Sequence, residues 1–445
     1  MLTKEGIGLP SNMAILPNDQ SIVLNRKTIK ESLSNNPSFA LLSFSDMEQE
    51  DSLLFEQSYE AELKYLNESF SIQIYVGNAN ELNLEDYGFA NRIGEKELEQ
   101  AMSQRYFIEV SLYFGTDNIQ SFHLQLKILN AIVPDASVVI DFMSYRLLSA
   151  QWLKMAAQTA IPPSPDYLYT LHCIYDEDEE GVRRYWFHTH GLHRCKTVEL
   201  EMLNITQGVE QMQTLINMTV RKFLSDATLE RERFTIGYDG MGINLCWLRW
   251  EEALSSFPKK MLGGIDDRKE EGNVHAEPSG ILFAVEEKDM ISPEIYAQTL
   301  AKNPIYYITT EETKRMSALA KERFSLFKKA FELWGVPEAK KNFVQKLFKT
   351  SRKYDENEWS FLVKLGLTVD GSETGDDKEH LWFEVKLIEG DKIVGKLLNQ
   401  PYWIAGLKDG DEKTYTTESL TDWIIYAPDN TYTTDTIYQL EINEI

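Results

Sequence analysis

Apolar positions recur along this chain at two different spacings, and the alternation between them predicts a mixed α and β protein. Ser38–Phe44 and Phe70–Tyr75 are alternating or continuously apolar over strand length, whereas Glu95–Met102 has the pattern of a short helix. Tyr106–Phe114 (YFIEVSLYF) is dense in β-branched and aromatic residues and predicts a strand. Asn118–Asn130 places Ile119, Phe122, Leu126 and Ile128–Leu129 at helical spacing. Val133-Pro134-Asp135 breaks that run, and Ala136–Asp141 (ASVVID) reads as a short buried strand. Strand, helix, strand in that order predicts a crossover unit. A helix over Ser149–Ala160 must stop before Ile161-Pro162-Pro163-Ser164-Pro165, because proline lacks a backbone donor and disfavours the α region before it.

Three further strands are expected at Tyr167–Tyr175, Arg183–His188 and Val198–Asn204, the first two joined as a hairpin by the acidic turn Asp176–Gly181. Val209, Met212, Leu215, Ile216, Val220 and Phe223 form one face of a helix over Gln207–Leu224. Arg233–Tyr238 and Ile243–Trp250 flank Asp239-Gly240-Met241-Gly242, a hairpin turn. Gly263–Asn273 is a polar loop, and Gly280–Val285 is another strand. From Glu311 the character changes. Ala320, Phe324, Phe327, Phe331 and Trp334 make one stripe of a long helix, Gly335-Val336-Pro337 stops it, and Glu338–Lys349 predicts a second. Trp359–Ile445 alternates strand-like runs with Gly/Asp turns. The expected fold is therefore α+β: a mixed α/β N-terminal region of two subdomains (1–163 and 164–310), a helical connector (311–353) and a small β-rich C-terminal domain (354–445).

Charge narrows the partners. Among 445 residues, 70 acidic against 45 basic give a formal net charge of −25, which repels phosphate backbones and anionic membranes. Three cysteines fit a reducing compartment, and neither an apolar leader nor a membrane-length apolar run is visible, so a cytoplasmic protein is expected. Lys314–Lys353 departs from this balance with twelve Lys/Arg against three Glu. Those cations interleave with the apolar stripe, as on a solvated helix face, and favour intramolecular docking against an acidic domain over nucleic-acid binding.

The densest candidate chemistry is Tyr185–Cys195 (YWFHTHGLHRC). Four of seven histidines (His172, His188, His190, His193) and two of three cysteines (Cys173, Cys195) fall within 24 residues. On a strand His188 and His190 project to one face, and Gly191 permits a turn that returns His193 toward them. Imidazole, thiolate and carboxylate are the ligand set of zinc or a similar divalent ion. The candidate ligands are thus His188, His190, His193 and Cys195, with Glu201 as an alternative fourth. The competing reading is a strand-to-loop corner in which the imidazoles hydrogen-bond and the cysteines act as small apolar residues. H-x-H-x-x-H also opens the ligand run of metallo-β-lactamase-type hydrolases, but Leu192 stands where that pattern needs an acid. Gly237–Gly242 lies between two strands with no helix following and lacks the geometry that cradles phosphate. No Walker A, G-x-S-x-G or H-E-x-x-H string occurs, and no catalytic residue is assigned.

Glu379-His380-Leu381-Trp382, Gly395–Pro401 (GKLLNQP), Gly410-Asp411 and Thr421-Asp422-Trp423 resemble the bacterial family called domain of unknown function 2314. Ala136–Glu201, with its ASVVID, LLSAQW, PPSPDYLY and HTHGLHRC elements, resembles domain of unknown function 4026. The resemblance implies a bacterial, cytosolic, modular protein and brings no activity, cofactor or site residue with it. The functional expectation is a non-catalytic binding protein with a protein partner. The alternatives are a metal-binding protein or metal-dependent hydrolase centred on HTHGLHRC, and an acidic immunity-type protein that neutralises a basic partner. Aromatics Trp382, Tyr402, Trp403, Tyr415, Trp423 and Tyr426 concentrate in the last domain, where an exposed subset would mark a binding face.

Overall fold

In the computed structural model the described residues are 8–19, 21–48, 55–237, 242–269, 273–302, 310–335, 359–373, 377–428 and 430–440. They build three sheets in two compact units, residues 1–307 and 308–445. Most of the turn residues Asp239-Gly240-Met241-Gly242, residues 270–272 of the polar loop and the helix expected at Glu338–Lys349 lie outside the described residues.

The first sheet comprises β1 (Ser11–Pro17), β2 (Ala40–Asp46), β3 (Phe55–Tyr65), β4 (Glu68–Asn78), β5 (Gly88–Phe89), β6 (Tyr106–Leu112), β7 (Ala136–Asp141) and β8 (Arg146–Ser149) in the order β2-β3-β4-β6-β1-β7-β8-β5. Helices α1 (Arg26–Ser34), α2 (Glu95–Met102), α3 (Asn118–Ile132) and α4 (Ala150–Gln158) accompany it. The expected crossover β6–α3–β7 is present, but its two parallel strands are not neighbours. β1 runs antiparallel between them, pairing Ile15 with Ile108 on one side and Val139 on the other. The pattern did not announce β1, because its apolar run Met13–Leu16 is bracketed by Pro10 and Pro17. Strand alternation sends Ala14, Leu16, Phe107, Val138 and Ile140 into one core with Ala101 of α2. On the α3 side, Gln125 ties the helix to β1 and β6 through the Ser11 and Val110 carbonyls. His123 and Lys127 of α3 reach the carbonyls of Ala156 and Ala157, part of the unsatisfied C-terminal turn of α4.

The second sheet holds β9 (Thr170–Glu177), β10 (Arg183–His190), β11 (Glu199–Ile205), β12 (Phe234–Ile236), β13 (Ile243–Arg249), β14 (Ser279–Glu286) and β15 (Asp289–Ile291), in the order β12-β13-β14-β11-β10-β9 with β15 on β14. β9–β10 and β12–β13 are the expected antiparallel pairs. α5 (Val209–Asp226) covers one face, with Phe223 edge-on to Phe234 at 5.6 Å. The other face carries Trp186, Leu203, Cys246, Leu248, Ile281 and Phe283, packed under α6 (Trp250–Ala253) and the chain that follows it. α7 (Ala297–Lys302) ends the described part of this unit.

The two sheets of the first unit are joined by a buried cation. Arg194, fully buried, donates to both carboxylate oxygens of Asp141 on β7 at 2.9 and 2.8 Å and to the Leu168 carbonyl. Its guanidinium also lies over the rings of Phe122 and Phe114. An ion pair this dry holds only when both partners are fully hydrogen-bonded, and here they are.

In the second unit, α8 (Thr310–Glu322) and α9 (Phe324–Ala330) precede β16 (Ser360–Thr368), β17 (Lys378–Glu389), β18 (Lys392–Leu397), β19 (Glu412–Thr416), β20 (Leu420–Tyr426) and β21 (Thr431–Thr433), ordered β19-β18-β17-β16-β20-β21 and antiparallel throughout. The single long helix expected from Glu311 is interrupted at Arg323 (φ −91°, ψ 3°) and closes in a π-helical turn at Phe331–Gly335. The apolar stripe is real: Ala320, Phe324, Phe327 and Phe331 are buried, and Phe327 meets Trp423 at 5.3 Å and Phe361 at 5.6 Å. The helices expected as a connector therefore contribute to this unit's core. Trp423 Nε1–H donates to the Ala320 carbonyl, which seals helix to sheet. The architecture is α+β, with a β-rich C-terminal region.

Candidate metal centre

The hairpin β9–β10 sets the site. Its register places His188 opposite His172, so both side chains leave the same face, and the period of two adds His190. The three ring centroids are 5.2, 5.0 and 5.0 Å apart (172–188, 172–190 and 188–190). One nitrogen from each converges so that all three lie within 4.8 Å of one another. His275, from the turn before β14, approaches His188 at 4.7 Å and His190 at 5.2 Å. Trp186 flanks His188 at 4.2 Å, and Tyr145, from the β7–β8 turn of the other sheet, lies edge-on to His190 at 5.0 Å. His188 and His190 are buried, while His172 and His275 are half-buried at the rim.

Burial sets the protonation state. Desolvation, reinforced by its imidazole neighbours and Arg268, pushes His188 down to about 2; desolvation with His172 and His275 pushes His190 down to about 3. His172 is lowered by burial and by the charge of Arg146, and His275 is lowered chiefly by burial. Neutral imidazole is the ligating form. His188 Nδ1 is buried with no hydrogen-bond partner.

His193 and Cys195, expected as ligands from the spacing, are engaged elsewhere. Gly191 adopts φ +113°, where a Cβ would meet the Leu168 carbonyl oxygen at 2.5 Å, and the turn it starts carries His193 away from the cluster. His193 Nδ1 lies 3.0 Å from Glu277 and its Nε2 lies 2.7 Å from the Pro278 carbonyl. Burial opposes its charge, but the Glu277 hydrogen bond and the Glu199 charge carry its pKa upward. Cys195 is enclosed, and burial pushes its thiol up to about 12. Glu201, opposite His188 in the register with β11, is committed to a bidentate pair with Arg268, to Trp186 Nε1–H and to Ser279 Oγ. Glu199 accepts from Thr189 Oγ1 and from the amides of Gly191, Leu192 and His193, which fixes the turn. Arg268 also donates to the His275 carbonyl and so pins the turn that supplies the fourth imidazole. Spacing within one segment could not find His172 or His275; the strand register supplies the first and a loop closure the second.

The family description "Protein of unknown function (DUF4026) N-terminal" matches residues 11–163, and its C-terminal counterpart matches residues 171–283. The chain belongs to the DUF4026 family. A third description, "Uncharacterized protein conserved in bacteria (DUF2314)", matches residues 317–443. Comparison with curated proteins and with solved structures gave no match. The four histidines lie in the DUF4026 C-terminal part, whereas Tyr145 comes from the N-terminal part. In the DUF2314 part the signature residues are structural. Glu379 accepts the Tyr402 and Trp403 amides, His380 Nδ1 is 3.1 Å from Thr421 Oγ1, a Cβ at Gly395 would meet Phe383 Cβ at 2.9 Å, and Trp423 fills the core. Among the described residues no helix is long and apolar enough to cross a membrane.

Proposed function

We propose that this DUF4026 protein binds a divalent transition-metal ion of the zinc class through His172, His188 and His190. The observation that carries the reading is the convergence of three imidazole nitrogens within 4.8 Å on a rigid hairpin. Two further features support it. Burial keeps all three rings in the neutral form a metal requires, and Nδ1 of His188 is buried without a hydrogen-bond partner. Borderline-soft imidazole donors favour zinc, copper, nickel or iron over calcium or magnesium. Elemental analysis of the purified full chain, with Zn²⁺ and Co²⁺ titration by calorimetry, tests it. One ion per chain is expected, with affinity reduced about 100-fold or more in His188→Ala/His190→Ala and in the rim variant His172→Ala. A wild-type chain that takes up neither ion overturns the reading.

A second reading concerns residues 308–445 as a protein-binding module. Tyr402 is 88% and Trp403 70% exposed, on a loop that Glu379 and Asp370 hold through backbone amides. Rigid, solvent-facing aromatics are the residue types that anchor interfaces. Retention of a protein partner by the wild-type chain and its loss in Tyr402→Ala/Trp403→Ala would support it; equal retention by both would refute it.

A further inference from the structure

Charge around the three histidines decides what must accompany the ion. Among the described residues the carboxylates around the cluster are already committed, Asp267 to the Gly263 amide. Asp141 pairs with Arg194, Glu201 with Arg268, and Glu277 with His193; Glu199 is consumed by Thr189 and three backbone amides. The nearby cations Arg194, Arg268 and Arg146 offset part of that negative charge. Arg146 stands close enough to His172 for its charge to lower that ring's pKa, and it spends its donors on Ser144 Oγ and the carbonyls of Asp166 and Tyr167. None of these carboxylates is free to ligate, and three neutral imidazoles would leave a divalent ion with its full double charge in a largely dry setting. A closed structural site would supply a fourth protein ligand, usually an anionic one. Among the described residues no carboxylate or thiolate joins the converging nitrogens, and His275, the fourth imidazole, stands outside the group and would bring no charge. His172 and His275 are the half-buried members of the cluster.

We infer that the centre is an open one, whose fourth position takes a small exogenous anion: hydroxide from water, or a carboxylate or inorganic oxyanion bound through one oxygen. The inference rests on the metal reading above and adds to it the class of the exchangeable ligand. An open position of this kind is where a metal-bound hydroxide or a coordinated anionic substrate sits in hydrolytic sites.

Cobalt(II) substitution in the full-length chain tests it, with azide and acetate as the probe anions and visible absorption as the readout. The expected result is a tetrahedral-type Co²⁺ spectrum that shifts saturably with azide and with acetate at millimolar concentration, and that is absent from His188→Ala/His190→Ala. A Co²⁺ spectrum indifferent to both anions, becoming responsive only in His275→Ala, would overturn the inference and leave the metal reading standing, with His275 as a resident fourth ligand. Indifference in both the wild type and His275→Ala would equally overturn it. Failure of the chain to bind Co²⁺ at all would remove both.

Discussion

The two units handle buried polarity in opposite ways. Within residues 8–302 the interior holds Asp141, Arg194, Glu199, Glu201 and Arg268, together with Lys127, His123, His188, His190 and His193. Within the described part of 308–445 Arg323 is the only buried Asp, Glu, Lys, Arg or His side chain, and the core includes the aromatic stack of Phe324, Phe327, Phe331, Phe361 and Trp423. Burying charges costs stability unless each is matched, so an interior that carries so many is organised around something other than packing. In the second unit the interior is spent on stability, and the unusual side chains, Tyr402 and Trp403, face outward. The contrast teaches where to look in each: inside the first unit and on the surface of the second.

The strongest way to break that contrast is Arg194→Ala, which strands Asp141 and severs the link between the first two sheets. A loss of about 3–5 kcal/mol is expected. Hydrogen exchange followed by mass spectrometry should show deprotection across residues 11–302 with residues 359–440 unchanged; loss in both would mean the units do not fold separately. Trp423→Phe is the counterpart in the second unit. It removes the bond to the Ala320 carbonyl and leaves a cavity, at a cost of about 2–3 kcal/mol confined to residues 310–440.

Acidity gives a finer test, with opposite signs at two buried groups, Asp422 in the second unit and His123 in the first. Burial raises Asp422 to about 6 from 3.8, so the folded second unit holds a proton that the unfolded chain has released. The contribution of Asp422 to stability falls as pH rises from about 4 to 6. Asp422→Asn, which keeps the acceptor for the Trp423 amide, should stabilise by about 1–2 kcal/mol at pH 7 and by nothing below pH 4. His123 is the reverse case: burial and Lys127 lower it to about 4 from 6.5, so its contribution is lost as pH falls from 6.5 to 4. Urea midpoints of His123→Gln should therefore decline less between pH 7 and pH 4.5 than those of the wild type. The smallest effect is expected from Tyr402→Ala/Trp403→Ala, with melting unchanged to within about 0.5 kcal/mol because neither side chain is in a core. A larger loss would make that pair structural and end the contrast at its outer edge.

Local pattern was enough for most elements. Glu95–Met102 and Ala136–Asp141 lie where periodicity put them, and the stripe Ala320–Phe331 faces a core as its spacing requires. These are properties of single segments, and sequence spacing records them directly. It also put His188 and His190 on one face, since a strand repeats every two residues whatever surrounds it. Spacing could not say that β1 would enter between β6 and β7, or that the helices before β16 would complete the last core, because both depend on which surfaces meet. The same limit governs the candidate site. His193 is near the cluster in sequence and is turned away by Gly191 toward Glu277, whereas His172 arrives by hairpin register and His275 by a loop that Arg268 pins to Glu201. The sequence by itself determined that histidines would concentrate here. Only the tertiary structure decided which of them converge, because convergence is set by pairing register and buried charge pairs between segments far apart in the chain.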